Sequence, residues 1–471
     1  MVFALLGRDQ FQAGLQLYFK RHAYGNTETE DLWAAWSEAS GVDVSGVMST
    51  WTKQMGYPYL KVVSETWTAT ELKVTLEQDW FLSDGTVSPD SPVWSIPLLF
   101  STPAGASTKA QLMTTKQQEF SVPLSAAGDW VKINAGQKAL VRVLHSAQMT
   151  ERLKAGLKNG TVTPVDRAAV LLDSYALVKA GFAPPENVVE ILRALDNESS
   201  SIVWAAIQAV LSGLHLLLEQ VSPAVFDSFK AFGTKLVLSA LAKCGWDPKA
   251  GEGHTDKLLR ASVLALLDTF CSTDPTVVAE AKRRFDGHFD DPSLLPSDYK
   301  TTVFKIVLSN GGEAEYERVL KTYYATEDNQ ERKYPLFSLG ATNSAALKRR
   351  TLDWAVFGGD VKLQDFFYGI GSIVTNSEGV EMAWAYYQQH FAAIKEKLAK
   401  ASPSLMDAVI INCTSRFCTA ARADEIEAFF AANPLPSSTR RISQTIEVMR
   451  TNAAMLARIQ KSSLANPAYF Q

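Results

Sequence analysis

Cysteine and histidine are both scarce, numbering four and six in 471 residues. The thiols Cys244, Cys271, Cys413 and Cys418 are too few to staple so long a chain, a usage that fits a reducing, cytoplasmic setting. Cys413 and Cys418 do not form C-x-x-C and no histidine lies between them, so a structural zinc site is not expected. No histidine is followed by glutamate and no two are four apart, which excludes an H-E-x-x-H zinc helix. Positive charge is not in excess either: 46 Lys and Arg against 50 Asp and Glu leave a formal charge of −4, the wrong balance for nucleic acid. Uninterrupted apolar runs approaching ~18 residues are missing, so no transmembrane helix and no membrane partner are expected. Met1 to Arg8 lacks the basic start and long apolar core of a secretory signal. Phosphate-binding and nucleophile motifs are absent too. There is no G-x-x-x-x-G-K-[ST], Gly369-Ile370-Gly371 lacks the third glycine of a dinucleotide fingerprint, and G-x-S-x-G does not occur.

What is present is globular: 46% hydrophobic and 20% charged residues, enough for roughly three domains of ~150 residues. Three textures follow one another. Residues 1–55 read as amphipathic helices. Phe11, Leu15, Tyr18 and Phe19 share one face, Leu32, Trp33 and Trp36 another, and Val44, Val47, Met48 and Trp51 a third. Residues 56–145 change to a period of two. Leu72, Val74 and Leu76 alternate with Glu71, Lys73, Thr75 and Glu77, and Trp94–Phe100 and Phe120–Leu124 repeat the pattern. Short strands with turns between them predict a small antiparallel β-sandwich. Residues 146–471 return to helical periodicity. Thr163-Pro164, Ser222-Pro223, Asp274-Pro275 and Ser402-Pro403 each offer an N-cap followed by proline at the first helical position. Many short helices in series predict an α-solenoid of the HEAT or armadillo kind, a curved superhelical bowl. The fold class is therefore multidomain and mainly α.

No cluster in this sequence assembles an active site, so no catalytic residue and no metal ligand is assigned; substrate-binding residues stay open. His254, in Gly251-Glu252-Gly253-His254, reads as a capping or surface residue, and His215, among Leu214–Leu218, as a hydrogen-bonded core histidine. The charge run Glu327, Asp328, Glu331, Arg332 and Lys333 reads as a solvated face. The closing Tyr469-Phe470-Gln471 has the look of an appended tag.

Some residues are not generic. Phe11-Gln12-Ala13-Gly14-Leu15 leads to Tyr18-Phe19-Lys20-Arg21-His22-Ala23-Tyr24-Gly25-Asn26, then Asp31-Leu32-Trp33 and Val47-Met48-Ser49-Thr50-Trp51. Further on stand Trp130-Val131-Lys132-Ile133-Asn134-Ala135-Gly136, Arg142-Val143, Asp166-Arg167-Ala168 with Leu171-Leu172-Asp173, and Ala383-Trp384. Together they resemble the C-terminal portion of the zinc aminopeptidases of the gluzincin class, the peptidase family of the puromycin-sensitive enzyme. The resemblance implies that 1–55 are the last helices of a thermolysin-like zinc domain, 56–145 a β-sandwich, and 146–471 the family's helical C-terminal domain. It also implies zinc in the full-length enzyme but no cofactor in this chain, whose family ligands and base would precede Met1. Around Arg142 the sequence departs from the family, with Ala139, Val141 and His145, and no positive charge stands near Asp407-Ala408.

The function expected is thus that of a region which caps a metallopeptidase domain and limits peptide access while being inactive alone. Its partners would be peptides and the missing zinc domain, in cis or on another chain. The alternatives are a stand-alone, non-catalytic peptide-binding or scaffolding solenoid, and one half of a split aminopeptidase.

Overall fold

The amphipathic amino end folds as four helices, α1 (Val2–Leu6), α2 (Arg8–Arg21), α3 (Thr29–Ser40) and α4 (Val44–Thr52). Gly14 on α2 leaves the gap into which Trp36 of α3 fits, and the Trp36 indole donates to the Phe11 carbonyl at 3.0 Å. The computed structural model describes all 471 residues and divides into two compact units, Met1–Glu198 and Ser199–Gln471.

In the first unit nine strands follow: β1 (Pro58–Trp67), β2 (Glu71–Trp80), β3 (Ile96–Leu98), β4 (Phe100–Thr102), β5 (Gly105–Ala106), β6 (Gln111–Met113), β7 (Gln117–Pro123), β8 (Lys132–Ile133) and β9 (Arg142–Leu144). They form a four-stranded sheet in the order β7-β2-β1-β9, a pair β3-β6, and a three-stranded sheet β5-β4-β8. Alternation works as expected: Leu72, Val74 and Leu76 point inward and join Trp94, Ile96, Leu98, Phe100 and Phe120 in one core. The sheets are not wholly antiparallel, because β9 pairs in parallel with β1, Leu60 opposite Val143. That pairing brings the chain back beside its starting strand and feeds it into α5 (Ala147–Lys158), α6 (Pro164–Ala180) and α7 (Glu186–Ala194).

The seam between the strands and α6 is polar and buried. Lys132, 1% exposed at its side chain, pairs with Asp166 at 3.1 Å and donates to the Asn134 carbonyl at 2.5 Å. Arg142 pairs with Asp173 at 3.0 Å, and the other Asp173 oxygen accepts the Val143 N–H at 3.2 Å. Arg167 grips Glu198 through two bonds of 2.7 and 2.9 Å. His145 follows β9; it is half-buried, but its Nε2 is sealed and has no partner. Burial, aided by the Lys132 charge, pushes its pKa down to about 3.

The second unit is wholly helical: α8 (Ser201–Leu218), α9 (Pro223–Cys244), α10 (His254–Leu264), α11 (Leu267–Phe270), α12 (Pro275–Gly287), α13 (Ser297–Ser309) and α14 (Glu313–Tyr324), then α15 (Asn329–Ser338), α16 (Ala345–Phe357), α17 (Phe366–Ile373), α18 (Ser377–Lys397), α19 (Pro403–Thr414), α20 (Ala420–Ala432) and α21 (Thr439–Ile459). The side chains of Thr163, Ser222 and Asp274 cap their helices as the sequence predicts. Ser402 does not; its hydroxyl bonds Ser404 instead, at 2.8 Å. From α13 onward the odd-numbered helices pack in a row, α13 on α15, α15 on α17, α17 on α19 and α19 on α21, and α21 returns to α8. The even-numbered helices α14 to α20 each lie against the odd one that follows. This two-row arrangement is the superhelical, all-α fold expected for the C-terminal stretch.

One expectation needs correcting, and two others gain detail. The 18 residues of α8 reach a mean hydropathy of 1.8, enough in length and composition for a membrane span. Ser, Gln, Gly and His interrupt the run but leave its average high, and more than half of it is buried among neighbouring helices. Phe470 is no appendage, being 4% exposed and packed edge-on against Phe229 of α9 at 5.5 Å. The charge run near 330 lies at the surface, where Asp328 also caps α15 and Glu331 pairs with Lys300 at 2.6 Å.

Two predictions follow from this packing. A histidine whose pKa is depressed by folding stabilises the native state above its unfolded value of 6.5 and loses that contribution as pH falls toward 3. Urea unfolding of the full chain, read by hydrogen exchange in peptides from residues 1–198, should therefore lose about 3 kcal/mol between neutrality and about pH 4 through this group. His145→Leu should flatten that slope while staying within ~1 kcal/mol of the parent at neutral pH. In the second unit, a Cβ on Gly233 of α9 would collide with the Phe270 ring. Gly233→Val should cost about 2–3 kcal/mol, measured as a lower thermal midpoint.

Candidate functional site

The helix ends of the second unit surround one sizeable cavity, of about 570 Å³, within the range of small-molecule sites. Its titratable lining comes from five elements: His215 and Glu219 at the end of α8, Lys230 on α9, Asp268 on α11, Lys305 on α13, and Arg416 just after α19. Each is placed by an ordinary local rule. Ser222-Pro223 starts α9 so that Phe226 and Lys230 lie one turn apart, and Lys230 stands over the Phe226 ring at 5.5 Å. The His215 imidazole packs edge-on against Phe226 at 4.8 Å and Phe270 at 5.7 Å.

Charge is unevenly satisfied here. Lys305 and Asp268 form an ion pair at 3.0 Å. One Glu219 oxygen accepts the Ser377 N–H at the start of α18, at 3.0 Å. The Arg416 Nε is buried without a hydrogen-bond partner. Burial lowers the Arg416 pKa from the usual guanidinium value, and Glu219 offsets part of that effect. Burial also pushes His215 down to about 4; Glu219 and Asp268 oppose the shift, while Arg416 and Lys230 add to it. Both cations therefore sit within electrostatic reach of the same ring. His215 is buried as expected, but no hydrogen bond holds its ring; aromatic faces do.

His254 is exposed, as expected of a surface residue, but it is the first residue of α10 rather than its cap, which is Gly253. Ala139 and Val141 are buried beside Asn134, whose side chain bonds both the N–H and the carbonyl of Ala139 at 3.0 Å. Near Asp407 an arginine does stand: Arg441 approaches from α21 at 3.9 Å, a pairing distant in sequence. Sequence reasoning missed Arg416 altogether. Its only local signal is a lone cation between two cysteines in an otherwise uncharged stretch. A catalytic zinc requires about three protein ligands. No three His, Cys, Asp or Glu side chains converge as a metal site, so the donor set of this chain does not fit that ion.

The electrostatics of the cavity can be checked by ring-proton NMR titration of His215. Removing the carboxylate that favours its charged form, as in Glu219→Gln, should lower its pKa further from about 4. Arg416→Gln should raise it.

Comparison with known proteins agrees with this architecture. Residues 130–451 match the family model of the ERAP1-like C-terminal domain, and residues 1–51 match the Peptidase family M1 domain. The chain is 32% identical over 483 residues to Aminopeptidase M1 of Arabidopsis thaliana, covering 98% of this chain and 53% of that protein. It is 31% identical over 476 residues to Aminopeptidase M1-B of Oryza sativa subsp. japonica, with the same two coverages. Against the puromycin-sensitive aminopeptidase of Caenorhabditis elegans identity is 29% over 464 residues, with 97% and 49% covered. The chain spans about half the length of the curated relatives it matches. On the strength of the helical match across most of its length, the chain belongs to the ERAP1-like C-terminal domain family and corresponds to the C-terminal portion of an M1 aminopeptidase.

Proposed function

We propose that this chain serves as the capping and access-limiting region of a zinc aminopeptidase, and that it does not hydrolyse peptides alone. The supporting observation is the pairing of a fragmentary M1 peptidase match, residues 1–51, with a helical unit in which no metal-ligand group converges. Hydrolysis by such enzymes needs a polarised carbonyl and an activated water, chemistry that a bound zinc supplies. This chain's own part is steric: a curved helical wall restricts which peptides approach, and its rigid-body movement would open or close the way. Within this reading, residues 1–55 are the last helices of the zinc domain, 56–145 the β-sandwich and 146–471 the helical domain. Four buried cysteines, none of them in a disulfide, suit a cytoplasmic location.

A second reading, one half of a split enzyme, is favoured by the first helices. Phe3 is 51% and Phe19 66% exposed, and the cluster behind them, built on Trp36, Val44 and Met48, is small. Such faces suit a partner domain.

Zinc content and hydrolysis of alanyl and leucyl anilides test both. The chain alone should carry no stoichiometric zinc and show no turnover; a chelator-sensitive rate would overturn the proposal. Mixing with a separately produced zinc domain should restore turnover if the two halves associate, and persistent inactivity would remove the split-enzyme reading.

A further inference from the structure

Arg416 and Lys230 raise a question that peptide access does not answer. Three cations and two carboxylates line the cavity of the second unit, and Lys305 is committed to Asp268 at 3.0 Å. Glu219 is held by the Ser377 backbone. Neither Arg416 nor Lys230 forms an ion pair or a side-chain hydrogen bond, and the Arg416 Nε is buried. Glu219 compensates the half-buried Arg416 guanidinium only in part, so a ligand that brings further negative charge would be favoured here.

The neutral lining points the same way. Ser212, Ser272, Thr375 and Ser415 line this cavity, and no intramolecular hydrogen bond holds their hydroxyls. A carboxylate has two oxygens and one charge. A phosphate monoester has three terminal oxygens and close to two charges at neutral pH, and so can use two cations and several hydroxyl donors together. At about 570 Å³ the cavity is also far larger than a bare phosphate, which leaves space for an organic portion beside the Phe226 ring.

We propose that this cavity binds a phosphate-bearing small ligand, a phosphomonoester of a polar organic molecule, with Arg416 and Lys230 holding the dianion and the free hydroxyls completing its shell. The site lies within the second unit and does not depend on the peptide-access reading.

Calorimetric titration of the full chain at constant ionic strength in chloride is the test, with inorganic phosphate, glycerol 2-phosphate and succinate as probes. Phosphate should bind at one saturable site, glycerol 2-phosphate at least as tightly, and succinate more weakly. Arg416→Gln and Lys230→Gln should each weaken phosphate binding about tenfold or more. Lys230 is half-exposed on α9, so K230Q decides the matter even if R416Q fails to fold. No saturable phosphate binding would overturn the proposal, as would binding unchanged in folded K230Q. Succinate binding as tightly as phosphate would overturn it too, and make the cavity a carboxylate site.

Discussion

A cation withdrawn from water needs a counter-charge within a few ångströms, and its folding cost is large when none is supplied. This chain answers that demand with care at its buried positions. Lys132 has Asp166, Arg142 has Asp173, and Arg167 has Glu198. Arg284, only 1% exposed at its side chain, is surrounded by Asp247, Glu280, the Leu294 carbonyl and the Tyr299 hydroxyl. In the first unit Lys132–Asp166 and Arg142–Asp173 join strands to α6, and Arg167–Glu198 ties α6 to the segment after α7, so the β core and the helices behind it cannot slide without breaking ion pairs. In the helical cavity, by contrast, neither Lys230 nor Arg416 forms an ion pair, and the Arg416 Nε is buried with no hydrogen-bond partner.

The family resemblance and the buried seam share residues. Lys132, Arg142, Asp166, Arg167 and Asp173 carry the likeness to the zinc aminopeptidases in sequence, and in three dimensions they are the charged groups of that seam. Their identities follow from mutual dependence: replacing one partner strands the other in low dielectric, where removal of a buried partner costs about 3–5 kcal/mol. Asp166 does double work, since it also accepts the Gly136 N–H at 2.7 Å while its own N–H is capped by Thr163. A helix-start signal legible as capping chemistry thus conceals the counter-ion of a lysine more than thirty residues earlier.

Much of the fold was legible because it rests on short periods. The alternation of Leu72, Val74 and Leu76 identified a half-buried strand, and Thr163-Pro164 fixed the start of α6 to the residue. The parallel docking of β9 was not legible, because three residues carry no record of the strand they join. The cavity was illegible for the same reason on a larger scale. Its titratable groups come from positions between 215 and 416 on five separate elements, and none has a motif around it. His215 illustrates the limit: its apolar neighbours correctly indicated burial, yet only the packing of Phe226 and Phe270 reveals that rings surround it. The absence of metal-binding motifs, by contrast, needs no tertiary information, since H-E-x-x-H is a local spacing.

The claim that connects these observations is that electrostatic mismatch in the helical unit marks a site for an anion. Diffraction from crystals soaked in selenate, recorded at the selenium edge, tests it most directly, because the anomalous signal locates the oxyanion without reference to any activity. The account predicts a peak against the Arg416 guanidinium and the Lys230 ammonium. Selenate found only at other surface cations, with this cavity holding water alone, would contradict it.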